Sequence, residues 1–337
     1  MRRGGVRAPL RMRAGAEFER IGIFLRAVDA PPPTEATLPP GDDAVPIRAA
    51  AGESIVITTD LSVEDVHFRR AWLTWEAIGY RATASALSDL AAMAARPLGV
   101  LISLGLPPEL DDRVLEELAG GVGECLHRAG AGLLGGDLSR SPGAATIDVV
   151  AVGAAADPIG RATAEDGDEL WVTGSLGGAA AAAAAWDSGL EPDPRARRSF
   201  ERPIPRTAEA LWLSERVRIS AAIDLSDGLV GDAGHIAAAS GAQLRIEEAL
   251  VPMHPVLEEY SDRTAALRLA VAGGEDYELL VAVREGRLAD VEDDFERMFA
   301  LRLTRIGRVC RGEGVVLVGL GGEELRLGLT GFDHFAG

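Results

Sequence analysis

Apolar residues at Phe18, Ile21, Phe24, Leu25 and Val28 recur at helical spacing, which predicts a short amphipathic helix over residues 17–28, ended by the proline-rich stretch 31–40. A β-rich run at 54–59 is followed by a long helical pattern at 75–95 and a buried-strand pattern at 98–104. Helix at 111–129, a short strand at 132–134 and a strand at 145–152 continue the alternation. Small and turn-forming residues then replace the periodic pattern across 154–167. Beyond them, strands are expected at 169–173, 221–223, 244–246 and 277–283, and helices at 178–187, 205–216, 229–240 and 287–299. Both halves therefore read as α/β, and at 337 residues the chain exceeds the size at which one core usually stops growing. The expected organisation is a flexible arm at 1–15, an N-terminal domain at 16–155 and a C-terminal α/β domain at 156–337.

Composition narrows the partners. The formal net charge of −18 repels nucleic-acid phosphates and anionic lipid at long range, so neither nucleic acid nor membrane is expected to bind. All 34 basic residues are arginine, which removes any P-loop or Schiff-base lysine from consideration. Cys125 and Cys310 lie far apart without CxxC spacing, so a disulfide framework and a thiolate zinc site are both unsupported and a cytoplasmic location is expected. The Arg-rich, acid-free start also resembles an organelle transit peptide, but it lacks the apolar stretch of a secretory signal.

The chemistry lies in short acidic turns. Gly41-Asp42-Asp43, Thr58-Thr59-Asp60, Ser88-Asp89, Gly135-Gly136-Asp137 and Asp224-Leu225-Ser226-Asp227-Gly228 put aspartate at expected strand ends or helix starts, and Gly273-Gly274-Glu275-Asp276 precedes a strand. Hard divalent cations take oxygen ligands, and magnesium is commonly shared between a few carboxylates and substrate phosphates. Asp89 or Asp137 taken alone reads more readily as a helix cap or an Asx-turn. Joint occurrence of five such turns beside glycine in apolar surroundings points instead to a metal site. Gly135-Gly136, Gly177-Gly178 and Gly273-Gly274 permit close approach of a phosphate, although close packing accounts for Gly177-Gly178 equally well.

In this order the segments resemble the thiamine-monophosphate kinase family. Its superfamily of ATP-binding α/β proteins also contains aminoimidazole ribonucleotide synthetase and selenophosphate synthetase. The resemblance runs through GDDAV at Gly41, TTDLSVEDVHF at Thr58, LSDLAAMAARP at Leu87 and GGDLSRS at Gly135. It continues through VTGSLGG at Val172, RPIPR at Arg202, IDLSDGL at Ile223, GGEDYELL at Gly273 and GFDHF at Gly331.

The resemblance implies a magnesium cluster of Asp43, Thr58, Thr59, Asp60, Asp89, Asp137, Asp224 and Asp227, of which Asp43, Asp60, Asp89 and Asp137 carry the catalysis. It implies ATP contacts from Gly136, Asp137, Arg161 and Ser226, and thiamine monophosphate contacts from His67, Glu275 and Phe332. A homodimer joined through the strands of the N-terminal sheet domains is also implied. Without the family, His67 reads as a satisfied polar group at a strand end, Arg161 as a solvated side chain and Phe332 as a docked C-terminus. Ala86, Leu138 and Asp65 depart from the family's asparagine, threonine and glycine.

The expected reaction is in-line transfer from ATP to thiamine monophosphate, giving thiamine diphosphate without a covalent enzyme intermediate. Two alternatives stand beside it: a superfamily enzyme with another phosphoryl acceptor, and a non-catalytic, metal-dependent nucleotide-binding protein.

Overall fold

The protein was described with a computed structural model, which covers residues 16–33, 35–36 and 44–325. The N-terminal half runs α1 (Ala16–Ala27), β1 (Ser54–Val63), α2 (Trp75–Ala92), β2 (Arg96–Leu106), α3 (Asp112–Ala129), β3 (Gly132–Arg140) and β4 (Thr146–Ala155). Its four strands lie in the order β1-β4-β2-β3, with β2 and β3 parallel across the α3 crossover and the other pairs antiparallel. Local chemistry sets the helix ends. Thr74 accepts a hydrogen bond from Ala77 N at 3.2 Å to start α2, Asp111 does the same for α3, and Gly130 ends α3 in the left-handed region at φ 65°.

Helix α2 is wrapped on all sides, by β1, β2 and β4, by α3, and by the C-terminal half. Its alanine-, glycine- and serine-rich sequence suits that position, because small side chains leave no polar face needing water.

The C-terminal half runs β5 (Asp168–Thr173), α4 (Gly178–Asp187), α5 (Pro194–Glu201), α6 (Thr207–Ser214), β6 (Ile219–Asp224), α7 (Leu229–Ser240) and β7 (Gln243–Glu247). It continues through α8 (Pro255–Glu258), α9 (Arg263–Ala272), β8 (Leu279–Arg284), α10 (Glu292–Phe299), β9 (Leu303–Cys310), β10 (Gly314–Val318) and β11 (Glu324–Leu325). The seven strands form a mixed sheet in the order β11-β10-β7-β9-β5-β8-β6. Strand β8 is buried from Leu279 to Val283, as its unbroken apolar run dictates.

Several elements exceed the pattern reading. Strand β3 continues through Gly135-Gly136-Asp137 to Arg140, and β1 runs on to Val63, so Asp60 and Asp137 lie within strands rather than at strand ends. Asp89 lies in the last turn of α2, not at a helix start.

Polar and aromatic contacts fasten the halves together. Arg202, from the turn after α5, pairs with Glu76 at 3.0 Å and Glu124 at 3.3 Å, Arg69 pairs with Asp187 at 2.8 Å, and Trp72 stacks on Trp186 with ring centroids 5.2 Å apart. Helix α2 also packs on α5, α6 and β6. The carboxyl end of α2 is thereby brought against the carboxyl end of β6.

Candidate active site

The two faces of β1 have different fates. Val56, Thr58, Asp60 and Ser62 face α2, whereas Ile55, Ile57, Thr59 and Leu61 face outward. On the inner face Thr58 donates its hydroxyl to Asp89 at 2.5 Å, which ties the strand to the last turn of α2. Asp60, two residues on, lies among Ser85, Asp89, Glu275 and Arg81.

From the other half, Asp224 ends β6 only 4% exposed, close enough to Asp89 for their charges to oppose each other. Ser88, fully buried beside it, makes no hydrogen bond of normal geometry among the described residues. Asp227 follows in the turn before α7, and its backbone N–H donates to Asp232 at 3.0 Å. Asp227, Asp232 and His235 bring their ligand atoms within 4.8 Å of one another. Neither Asp232 nor His235 was singled out from sequence, because a helical Asp-x-x-His has no distinctive signal until the turn before it is in place.

Electrostatics mark this cleft. Burial, opposed by Ser85 and Arg81 and reinforced by Asp89 and Glu275, pushes the Asp60 carboxyl up to about 6. Burial and then the Asp89 charge lift Asp224 to about 7, and burial with Asp224 and Asp227 lifts Asp232 to about 8. Asp89 is raised by burial as well, tempered by the Thr58 hydroxyl and the Arg161 guanidinium. Carboxylates that resist ionising beside one another are a donor set for a hard cation, which would supply the missing positive charge. The all-oxygen chemistry of Thr58, Asp60, Asp89 and Asp224 fits magnesium.

Other expected residues are distributed as follows. Arg161 lies exposed at the rim, with its charge felt by both Asp89 and Asp224. Ser226 adjoins the same turn, and its carbonyl accepts from Glu275 N at 2.8 Å. The His67 Nδ1 accepts a hydrogen bond from Val63 N at 3.1 Å, in the turn that follows β1.

Thr59 points to the outer face and donates to Asp148 at 2.7 Å, so its side chain stands outside the Asp60 cluster. Strand register puts Asp137 in one row with Ser103, Asp148 and Leu61, on that same outer face and three strands from β1. Roughly 14 Å of flat sheet, at about 4.8 Å per strand, separates its row position from β1. Asp43 and Phe332 lie outside the described residues.

The glycines expected near phosphate have packing reasons of their own. A Cβ at Gly136 would meet the Ile102 carbonyl at 1.9 Å, and one at Gly274 would meet the Ser226 carbonyl at 2.3 Å. The N-terminus of α4 is already engaged, since buried Asp276 accepts from Gly177 N at 2.8 Å. A carboxyl does face that helix, but the chain itself supplies it, and burial raises its pKa.

The sequence and the fold have known counterparts. The family model for the AIR synthase related protein N-terminal domain matches residues 41–155, and that for the C-terminal domain matches residues 165–319. Thiamine-monophosphate kinase of Escherichia coli (strain K12) is 33% identical over 303 residues, covering 88% of this chain and 91% of the relative. The crystal structure of thiamine-monophosphate kinase from Stenotrophomonas maltophilia K279a superposes with a TM-score of 0.79 at 32% identity, covering 91% of this chain and 96% of that one. A structure of AaThiL complexed with AMPPCP and TMP gives a TM-score of 0.75 at 31% identity, over 87% of this chain and 91% of that one. With both domain models matched and a third of the residues shared across nearly the whole length, the chain belongs to the thiamine-monophosphate kinase family of AIR synthase related proteins.

Proposed function

We propose that this protein phosphorylates thiamine monophosphate with ATP, forming thiamine diphosphate. The observation that carries the reading is the meeting of Asp60, Asp89 and Asp224, drawn from both halves of the chain, at charges they resist holding unaided. Family membership supports both the acceptor and the donor.

Residues 16–155 form the ATP- and metal-binding unit in this reading, and residues 156–337 the unit that completes the cleft. Magnesium would be held by Asp60, Asp89 and Asp224 with the Thr58 hydroxyl, and by Asp227; Asp43, Thr59 and Asp137 join the set on resemblance alone. When bound, the metal supplies positive charge between two polyanions. The acceptor phosphate has a second pKa of about 6 and is mostly dianionic at neutral pH, so no strong general base is required. With no lysine in the chain, Arg161 is left to steer the ATP phosphates at the rim, alongside Gly136 and Ser226. His67, Glu275 and Phe332 receive the acceptor. Transfer is in line, without a phosphoenzyme.

A homodimer is supported by the outer face of β1, where Ile55, Ile57 and Leu61 are 40%, 64% and 53% exposed in one row. A reducing, cytoplasmic setting accords with the free thiols of Cys125 and Cys310.

The test is direct. Pure protein, ATP and magnesium are incubated with thiamine or thiamine monophosphate, and thiamine diphosphate is sought by chromatography. Product from the monophosphate alone is expected; ATP bound without release of ADP would defeat the reading. Inversion at a chiral γ-phosphorus is expected, and retention would overturn the single in-line step.

A further inference from the structure

Arg81 reaches across the cleft from the N-terminal half to Glu275. It lies on α2, 5% exposed, one turn before Ser85 and two turns before the last turn that carries Asp89. Its guanidinium donates from Nη1 to the Phe200 carbonyl at 2.7 Å and lies 3.8 Å from the centroid of the Phe200 ring. Nη2 pairs closely with Glu275 Oε2. The same oxygen accepts the Tyr277 hydroxyl at 2.6 Å, whereas among the described residues Oε1 takes no hydrogen bond. Glu275 is thus held by one oxygen and keeps the other open on a side chain 29% exposed.

The backbone here is costly to hold. Glu275 has φ 76° and Tyr277 has φ 53°, both in the left-handed region that side chains other than those of glycine, asparagine and aspartate rarely adopt. Main-chain hydrogen bonds from Glu275 N to Ser226 O and from Tyr277 N to Leu225 O, each 2.8 Å, pin the turn to the segment between Asp224 and Asp227. The side chain at its crest still needs a counter-charge, and Arg81 supplies it from the opposite half of the molecule.

We propose that Arg81 is a positioning residue for the acceptor: by fixing Glu275 Oε2 together with Tyr277, it aims Oε1 at the cationic, amine-bearing ring system of the substrate. This rests on the kinase reading above and adds to it the group that sets acceptor specificity. Such a role predicts an effect on acceptor KM, transmitted through Glu275, with little effect on ATP.

Steady-state kinetics on Arg81→Lys, Arg81→Gln, Glu275→Gln and the double variant Arg81→Gln/Glu275→Gln test it, with melting temperatures recorded for each. Losing one buried charge-assisted hydrogen bond corresponds to a change of about ten- to a hundredfold, so Arg81→Gln should raise the thiamine monophosphate KM by that factor while KM for ATP stays within about threefold. Arg81→Lys, which keeps the charge but not the fork, should recover part of the loss. In the Glu275→Gln background the Arg81→Gln change should add less than about threefold, because the two act as a unit.

Full additivity in the double variant, or equal losses for ATP and acceptor, would overturn the positioning role and leave the kinase reading intact. Should Arg81→Gln not fold, Arg81→Lys alone decides between the two through its split of acceptor KM against ATP KM. Wild-type protein that makes no thiamine diphosphate removes the kinase reading, and this inference with it.

Discussion

Two groups of buried charge lie near the join between the halves, and they are built on opposite principles. Around Arg206, Glu278 accepts two guanidinium hydrogen bonds at 2.7 and 2.5 Å and a third from Thr173 Oγ1 at 2.6 Å, while Glu209 lies 3.4 Å from the same arginine. Burial works against the Arg206 charge, but Glu278 outweighs it and holds the group more firmly protonated than usual. Every charge there has a partner. Around Asp89, by contrast, Asp60 and Asp224 are pushed up to about 6 and about 7, with the Ser85 and Ser88 hydroxyls and the more distant charges of Arg81 and Arg161 offsetting only part of the shift. Buried carboxyls whose pKa values are raised beside one another gather at functional sites, so the first cluster has the character of a structural ion-pair network and the second that of the proposed metal site.

The sharpest way to break this contrast is to remove one member from each side. Asp89→Asn should lower kcat/KM by on the order of a thousandfold, the upper scale for one preorganised electrostatic group, with no fall in the metal-free melting temperature. Arg206→Met should do the reverse: leaving Glu278 buried and alone costs about 3–5 kcal/mol of stability, read as a shift in the urea midpoint. If Asp89→Asn unfolded the protein, the distinction between the clusters would be lost.

A smaller effect comes from pH. Acids whose folded pKa is raised bind protons more tightly when folded. The contribution of these groups to metal-free stability is therefore fully present below the unfolded carboxylate pKa of about 4, falls as pH rises, and levels off once the carboxyls at about 6, 7 and 8 have ionised. Magnesium should flatten that decline in a thermal scan taken across pH 5–8, and an equal slope with and without magnesium would contradict the donor assignment. Least of all, Asp65→Gly should raise stability by no more than about 1 kcal/mol in denaturant melts, because Asp65 adopts φ 65° where glycine is at ease.

Legibility from sequence followed the same divide. Helix α7 and the core of β8 could be read because periodicity and glycine or apolar runs are local signals. Helices α5 and α9 begin at caps from Asp193 and Asp262 but are too short, and β9 and β10 too close to a turn, for the periodic pattern to mark them. The family resemblance named Asp60, Asp89 and Asp224, but their meeting depends on α2 packing against β6, which no spacing in the chain encodes. Facing was equally hidden. That Thr59 and Asp137 share the outer surface while Thr58 and Asp60 share the inner one follows from a chain of strand pairings between segments far apart in sequence.

Strand β1 therefore carries two messages on alternate residues. Inserting or deleting a single residue between Ile55 and Ile57 would exchange them, turning Ile57 and Leu61 inward against α2 and the oxygens of Thr58 and Asp60 out to the proposed subunit contact. Length in this segment is thus under tighter constraint than identity: the strand can vary its letters but cannot shift its reading frame without exchanging its inner and outer faces.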